Sequence, residues 1–397
     1  MKKSLSLFFL LFTAFLQSQV SESWSIEVDN YSQNSSNYSS QYQPLEIGKF
    51  SNGDLVVLTQ NNKLIRYNTQ REIAWKHELS KCSKQRLIVD DKDKVFMICD
   101  DEIYHYDQGG NLIWNLNFKE LFKNDFLTFD AITSHEKNIY LVGHFYHSKT
   151  IFQLAITKGG NVLWKRKYQQ KVRYDHEILP PKEIYIYKDR IYILAHHHTS
   201  KKSFVYSSDL LGRRRKSKKI NFKLKKIKVY KDRMYAVGHL DSLKDRLFLG
   251  ELQEDLGVAQ KMEVKLSPNM IYEKAIRWWA STPPSKEEFE KDFRTSYEVH
   301  DFVFLDLENV LVVGTSYENP WLLKANINDG VVWNLDKEDK RYFKFQNVTS
   351  YHKTELYSVQ LSEKGLLICG LSKEEDFREA MFTVFIHLFL REIELLK

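Results

Sequence analysis

The chain has 397 residues, 43% of them hydrophobic and 14% aromatic, and a formal net charge of +7. That length supports a large core and exceeds an ordinary single domain, as repeat folds routinely do. Three cysteines, Cys82, Cys99 and Cys369, exclude a disulfide-built scaffold, and the mild basicity selects no class of partner.

Lys2 and Lys3 precede an apolar run over 5–16, and Gln17, Ser18 and Gln19 follow it. This is the charged, apolar, cleavable layout of a secretory signal over residues 1–20, with a run too short to span a bilayer. The alternative is a buried N-terminal strand or helix. No cysteine lies near the cut, which argues against a lipid anchor. Removing Lys2 and Lys3 takes the net charge from +7 to +5. No other run approaches about 18 apolar residues, so the mature chain is expected not to span a membrane. The expected location is the periplasm or the extracellular space, which disfavours nucleic acid as a partner.

Residues 21–43 read as a strand and a linker. Ser23, Trp24, Ser25, Ile26, Glu27, Val28 and Asp29 alternate like a strand, and 30–43 is dominated by Ser, Asn, Tyr and Gln. That polar stretch has little apolar surface with which to fold.

From about Gly48 a four-strand unit recurs. Its clearest copy predicts strands a to d at 129–135, 138–144, 151–157 and 161–168. Each is short, rich in Ile, Val, Tyr and Phe, and bounded by turn residues. Strand b recurs seven times, at 54–58, 95–99, 139–144, 191–196, 234–239, 310–314 and 366–370. Near-continuous apolar runs of this kind bury both faces, as they do when sheets stack around a ring.

A second phrase, a glycine turn followed by a hydrophobic residue and tryptophan, marks strand d. It stands at Gly109, Gly110, Asn111, Leu112, Ile113, Trp114, again at Gly159, Gly160, Asn161, Val162, Leu163, Trp164, and again at Gly330, Val331, Val332, Trp333. A looser copy holds Ile73, Ala74 and Trp75, and degenerate ones surround Gly212 and Gly257. Trp75 to Trp114 is 39 residues and Trp114 to Trp164 is 50, near the ~40–50 of a four-stranded blade. Trp164 to Trp333 is 169, three blades and an insertion. The insertion, 267–296, carries a capped, proline-started segment at 281–293 that is the only helix the sequence predicts in the mature chain.

The expected fold is therefore an all-β, seven-bladed β-propeller over 44–397, with eight blades as the runner-up. Its blades fall at about 47–80, 84–120, 127–170, 181–221, 222–266, 297–337 and 342–397. In the last, 380–390 is strand c. Either 391–397 or the N-terminal strand around Trp24 supplies strand d; the latter is favoured because it removes an open sheet edge.

The glycine–hydrophobic–tryptophan phrase resembles the repeats of the quinoprotein alcohol dehydrogenase-like (PQQ-type) propellers, over nearly the whole mature chain. In the quinone-dependent dehydrogenases of that superfamily a vicinal cysteine pair lies by the cofactor. This shorter chain has no such pair, so no cofactor is expected. In length and export it is similar to the propeller lipoprotein of the outer-membrane β-barrel assembly machinery, whose lipidated cysteine it lacks. The resemblance implies a blade type and not an activity.

Several constellations are candidates for chemistry. Strand b ends in His144, His196 and His239 in three consecutive blades, with Gln60, Asp100, Thr315 and Leu371 at that place elsewhere. Asp130 is expected opposite His144. Three imidazoles and two carboxylates, Asp130 and Asp100, on one face are suited to a metal or an anionic ligand. Equivalent residues of neighbouring blades lie ~10 Å apart, however, too far to share one ion unaided. His196, His197 and His198 alternate faces on a strand and do not converge on an ion. No metal site is therefore assigned.

Arg213, Arg214, Arg215, Lys216, Lys218 and Lys219 open a run of ten cations without an acid across 213–228. It suits an anionic cell-envelope component or acidic protein, or else it is an edge strand whose charges block sheet-to-sheet pairing. Trp278 and Trp279 in the insertion are either an exposed aromatic platform or an anchor. Cys82 and Cys99 lie near opposite ends of the a–b hairpin of the second blade, where a disulfide is geometrically allowed. No nucleophile elbow, phosphate loop, zinc-ligand spacing or Asp box is present. The expected function is a monomeric, non-enzymatic binding or scaffold propeller for a protein or envelope glycan; the alternative is a propeller enzyme, quinone-dependent or glycan-active.

Overall fold

A computed structural model describes residues 20–34 and 46–395, except 60–61, 71, 80–81, 83–84, 124–126, 146–149, 170–179, 197–201, 240–245, 266–297, 317–318, 328–329, 335–350, 362–364 and 377–382. The predicted helix at 281–293, Trp278, Trp279, Gln60, His197 and His198 lie outside these residues, as does the expected signal before Val20.

The chain opens with β1 (Val20–Asn34). A first sheet follows: β2 (Glu46–Lys49), β3 (Leu55–Leu58), β4 (Lys63–Tyr67) and β5 (Ile73–Glu78). The second holds β6 (Gln85–Val89), β7 (Val95–Cys99), β8 (Glu102–Tyr106) and β9 (Leu112–Asn117), and the third β10 (Leu127–His135), β11 (Asn138–Phe145), β12 (Thr150–Thr157) and β13 (Val162–Gln169). The fourth is β14 (Pro181–Tyr187), β15 (Arg190–Ala195), β16 (Ser203–Asp209) and β17 (Lys216–Ile220); the fifth is β18 (Lys223–Tyr230), β19 (Arg233–His239), β20 (Arg246–Leu252) and β21 (Val258–Lys265). The sixth is β22 (Glu298–Phe304), β23 (Asn309–Ser316), β24 (Asn319–Asn326) and β25 (Gly330–Asn334). β26 (Tyr351–Leu361), β27 (Gly365–Asp376) and β28 (Thr383–Leu395) complete the chain.

These strands form seven four-stranded antiparallel sheets, each in simple sequential order except the last, where β1 joins outside β28. The first strands of successive sheets contact one another, β2 on β6 and onward to β22 on β26, so they are the innermost. The protein is an all-β propeller.

The core lies between the sheets. One apolar cluster joins the first and second sheets through Phe50, Val56, Leu58, Leu87 and Met97. Another joins the second and third through Phe96, Ile98, Phe129 and Phe152, and the pattern repeats to the fifth and sixth. Every residue of β3 and β7 is buried, which is why strand b reads as an unbroken apolar run.

The tryptophan phrase is a joint. The Trp75 indole N–H donates to the Gln108 carbonyl, Trp114 to Lys158 and Trp164 to Leu210, each at 3.0 Å and each into the c–d turn of the next sheet. Two residues on from each carbonyl stands a glycine with φ of +86°, +89° or +69°: Gly110, Gly160 and Gly212. A Cβ on Gly110 would lie 2.9 Å from the Trp75 ring, and one on Gly212 2.9 Å from the Trp164 ring. One phrase thus supplies both halves of a joint, a glycine that receives the previous indole and an indole that seeks the next glycine.

The joint lapses after the fourth sheet. Lys216 stands where the register places tryptophan in the first three sheets, and Leu256, at φ +67° and buried, replaces the receiving glycine.

Four features differ from expectation. β1 runs to Asn34, so part of the polar 30–43 stretch is strand, held by pairing with β28 where its composition alone offered no core. The last sheet's third strand is Thr383–Leu395 and not 380–390; residues 391–395 extend that strand and β1 takes the outer place. An unpredicted helix, α1 (Phe118–Phe122), links the second and third sheets. The Asn117 side chain caps it by accepting from the Lys119 N–H, and it buries Phe118 against Phe129 and Phe122 against Phe152. At five residues it is too short for helical periodicity to register. Fourth, the basic run does not lie on one strand, as shown below. Cys82 and Cys99 are joined in a disulfide, with Cα atoms 5.3 Å apart.

Candidate functional site

Inner strands alternate, so one face of each packs on the apolar layer and the other faces the central axis. Leu87, Ile132, Ile184, Ile227 and Phe302 take the packed face. The residue before each, with Glu46 of the first sheet, makes a charged column of Glu46, Arg86, Glu183, Lys226 and Asp301 that act on one another; Ala131, before Ile132, packs instead in the core between the third and fourth sheets. Glu46, Arg86, Ala131, Glu183, Lys226, Asp301 and Ser358 stand opposite the equivalent second-strand residues Leu58, Ile98, Val142, Leu194, Val237, Val313 and Cys369.

The charges alternate in sign and pair across sheets. Arg86 lies 3.7 Å from Glu46, Lys226 Nζ 2.8 Å from Glu183, and Lys228 Nζ, two residues along β18, 2.7 Å from Asp301. The Tyr185 hydroxyl donates to Glu183 at 2.9 Å and accepts from the Ile227 N–H at 3.1 Å. Burial raises the Glu46 pKa above its ordinary value, opposed by Arg86 and by Lys226 from the fifth sheet. That a first-sheet carboxylate feels a fifth-sheet ammonium places both on one shared axis. Burial works against the Lys226 ammonium, yet Glu183 and Asp301 outweigh it and hold the pKa above the ordinary lysine range. In Lys228 burial prevails and the pKa falls. The charges of the column are met by three ion pairs, Glu46 with Arg86, Glu183 with Lys226 and Asp301 with Lys228.

Of these column residues only Lys226 stands among the sequence candidates, as one of the ten cations across 213–228. Their signal is a charged residue immediately before the apolar residue of strand a, visible only once the strands are aligned by register.

The histidines flank this column at one end. In the third to seventh sheets strand a carries a bulge, at Asp130, Lys182, Lys225, His300 and Tyr357. Opposite the residue before each bulge stand Gly143, Ala195, Gly238, Gly314 and Gly370. The small residue is needed because the bulged backbone comes close: a Cβ on Gly143 would lie 2.1 Å from the Thr128 carbonyl oxygen.

His144, His196 and His239 follow three of these small residues at equivalent positions. His144 Nδ1 lies 2.6 Å from Asp130 Oδ2. His239 Nε2 accepts from the Val299 N–H of the next sheet at 3.3 Å. His196 is buried, and burial first, then Lys225, Lys182 and Lys223, push its pKa down to about 2. Asp100 does not extend the series. β7 ends at Cys99, and Asp100, at φ +50°, turns into the tight hairpin to β8. Among the described residues no group of three or more His, Cys, Asp or Glu side chains is placed to hold a metal ion.

The ten-cation run divides. Arg213, Arg214, Arg215, Lys216, Lys218 and Lys219 are exposed on or beside β17, the outer edge of the fourth sheet. Lys223, Lys225, Lys226 and Lys228 lie on β18, the innermost strand of the fifth, with Lys225 Nζ 3.3 Å from Glu298. The sheet connection separates them by the full width of a blade, so ten charges in a row do not make one patch. At the outer edge the Arg215 guanidinium sits 4.8 Å over the Tyr168 ring.

The outer strands also carry exposed apolar side chains. Six of the eight exposed large hydrophobics among the described residues are Ile73, Leu112, Ile113, Val162, Leu163 and Leu211, from 39% to 57% exposed. Each flanks a tryptophan of an outer strand or, as Leu211, lies in the turn that receives one, so they recur at the joints of the first four sheets.

No family model matches the chain, and no curated protein matches it in sequence. Among solved structures it is similar to the Dos1 propeller, with TM-score 0.52, 8% identity, and 94% of this chain and 95% of that one covered. It is also similar to the dihydro-heme d1 dehydrogenase NirN in complex with DHE, with TM-score 0.50, 8% identity, and 89% and 68% covered. A third likeness is to BamB from Moraxella catarrhalis, with TM-score 0.46, 12% identity, and 93% and 98% covered. At these identities the shared feature is the fold, a β-propeller.

Proposed function

We propose that this chain is an exported binding or scaffold propeller of the PQQ-like repeat type, without catalytic activity, whose partner is a protein docked on the outer strands of the first four sheets. The observation that carries this reading is the row from Ile73 to Leu211. Exposed apolar side chains scattered singly need no explanation, but their recurrence at the same place on four successive sheets supports a contact surface. At the fourth sheet the row meets the exposed cations Arg213 to Lys219, which suit a partner with acidic groups beside its apolar contact. The centre offers less to a partner, since Glu46 with Arg86, Glu183 with Lys226 and Asp301 with Lys228 already pair.

The test is capture from envelope extracts by immobilised wild type, Ile113→Ser/Leu163→Ser, and Val229→Ser, an exposed site off the row. The reading expects a protein retained by wild type and Val229→Ser and lost by the double variant, at unchanged stability because the sites are exposed. Equal retention by all three sinks it. Turnover of a dye by the protein with calcium and quinone would point instead to an enzyme.

A further inference from the structure

The outer strands of the third and fourth sheets are cationic in a way that those of the first and second are not. β13 carries Lys165, Arg166 and Lys167 in succession. The turn before β17 and β17 itself carry Arg213, Arg214, Lys216 and Lys219, all exposed. The two groups form one surface because the sheets touch here. The Trp164 indole donates to the Leu210 carbonyl at 3.0 Å, and a Cβ on Gly212 would lie 2.9 Å from Arg166 Cγ. The Arg215 guanidinium lies 4.8 Å over the Tyr168 ring and donates to the Lys167 carbonyl at 3.4 Å.

These cations are not neutralised within the described residues. Of those on the two outer strands only Lys218 faces a carboxylate, Asp255 at 4.0 Å. Lys165 Nζ donates to the Leu121 carbonyl at 2.8 Å, Lys167 Nζ lies 4.8 Å over the Phe145 ring, and the Arg166 guanidinium 5.9 Å over the Trp164 ring. Asp209, the acid that precedes the run, accepts instead from the Leu211 and Arg213 backbone N–H groups. Carbonyls and ring faces fix the cationic heads in place without cancelling their charge.

Protection of a sheet edge does not account for them. Charge on an outer strand blocks pairing with another edge. Yet β9 holds the same place in the second sheet with no charged residue, and on β5 Lys76 is paired with Glu78 at 3.3 Å. An edge that needs no charge in one sheet does not call for unopposed cations across the next two.

The surroundings select among anions. The exposed hydrophobics beside the cations, Val162, Leu163 and Leu211, are aliphatic, and the Trp164 ring on which a sugar would stack is engaged in the joint with the fourth sheet. The aliphatic series continues onto the first and second sheets as Ile73, Leu112 and Ile113, around a wall that curves away from any flat bilayer. A polypeptide follows that curve and supplies carboxylates and aliphatic side chains together.

We propose that the outer wall of the third and fourth sheets binds an acidic segment of the partner protein, its carboxylates set against Lys165, Lys167, Arg213, Arg214, Lys216 and Lys219. This rests on the docked-protein reading above and specifies the partner: its contacting segment carries Asp or Glu among aliphatic residues.

The experiment titrates the full chain into labelled poly-L-glutamate and follows fluorescence anisotropy, with labelled alginate and vesicles of phosphatidylglycerol in phosphatidylcholine as separate arms. Saturable binding of polyglutamate is expected, weakening as salt rises from about 50 to about 300 mM. Lys165→Gln/Lys216→Gln/Lys219→Gln is expected to weaken it at least about tenfold, whereas Lys92→Gln/Lys137→Gln/Lys231→Gln, which removes the same charge from exposed a–b turns, changes it less than about twofold. Melting temperatures equal to that of the wild type show that both variants keep the fold. No saturable binding of polyglutamate by the wild type overturns the proposal, and so does equal weakening by the two triple variants. Vesicles or alginate bound more tightly than polyglutamate, and lost by the first variant, overturn it in favour of a membrane or a glycan. A protein captured in the docking test while polyglutamate fails to bind leaves the docking intact and overturns only the acidic segment.

Discussion

At the scale of single residues, two adjacent glycines of one phrase do different work. Gly160 sits at φ +89° with the Trp114 ring 3.2 Å from where its Cβ would be, while a Cβ on Gly159 meets only Thr157 Oγ1 at 3.6 Å. Gly160→Ala is therefore expected to lower unfolding free energy by about 1–3 kcal/mol, and Gly159→Ala by less than about 0.5 kcal/mol. Urea denaturation of the two variants distinguishes them, and equal losses would contradict the joint. The charged column is a second residue-scale case. Lys226→Met leaves Glu183 without its ion-pair partner in a partly buried place. The expected cost is about 1–3 kcal/mol, between the limits for exposed and buried pairs. Lys226→Met/Glu183→Leu should regain most of it. Equal instability of single and double variants would show that the pair is uncoupled.

At the scale of elements, the closing strand carries the plainest consequence. β1 pairs with β28 along almost its whole length, from Val20 opposite Leu395 to Asn34 opposite Thr383. A chain beginning after Asn34 exposes β28, a strand of 13 residues, as an open edge. Such an edge templates pairing with another chain. The truncated protein is expected to elute as oligomers in size-exclusion chromatography with light scattering. A monomer with an unchanged melting temperature would mean that β1 contributes nothing. α1 and the Cys82–Cys99 disulfide are local ties of another kind, filling or clamping the seams on either side of the second sheet.

At the scale of the whole molecule, stability is tied to pH through two histidines buried neutral. His105 stacks on Phe96 at 4.4 Å, has no hydrogen-bond partner at either ring nitrogen, and is held below its ordinary pKa by burial and then by Lys94. His196 is held at about 2. In both, the folded pKa lies below the unfolded value of about 6.5, so below that pH the unfolded chain binds more protons. Stability is therefore full above about pH 6.5 and declines as pH falls, with a slope approaching about 1.4 kcal/mol per pH unit from His196 and a contribution of the same sign from His105. Denaturation midpoints between about pH 7.5 and 5 test this. His105→Phe should flatten the profile, and an unchanged slope would mean that His105 takes up its proton without unfolding.

The strand repeat was legible from the residues alone because burial of strand b on both faces demands an uninterrupted apolar run, as β3 and β7 display. The glycine–tryptophan phrase was legible too, since a positive φ and a close ring select the same residues at each joint. Counting across the hairpin puts Asp130 opposite His144, whereas the register puts Thr128 there and it is the bulge that brings Asp130 to the ring at 2.6 Å. The rest required the fold. α1 is too short for a periodic signal, and β1 is polar enough to resemble a linker until β28 is beside it. The basic run looked continuous along the chain, yet one turn separates an outer edge from the central axis. The charged column is the clearest case: Glu46 and Lys226 are far apart in sequence, yet the ammonium acts on the carboxylate because the sheets stand around one axis, where each charge is tolerated beside its opposite.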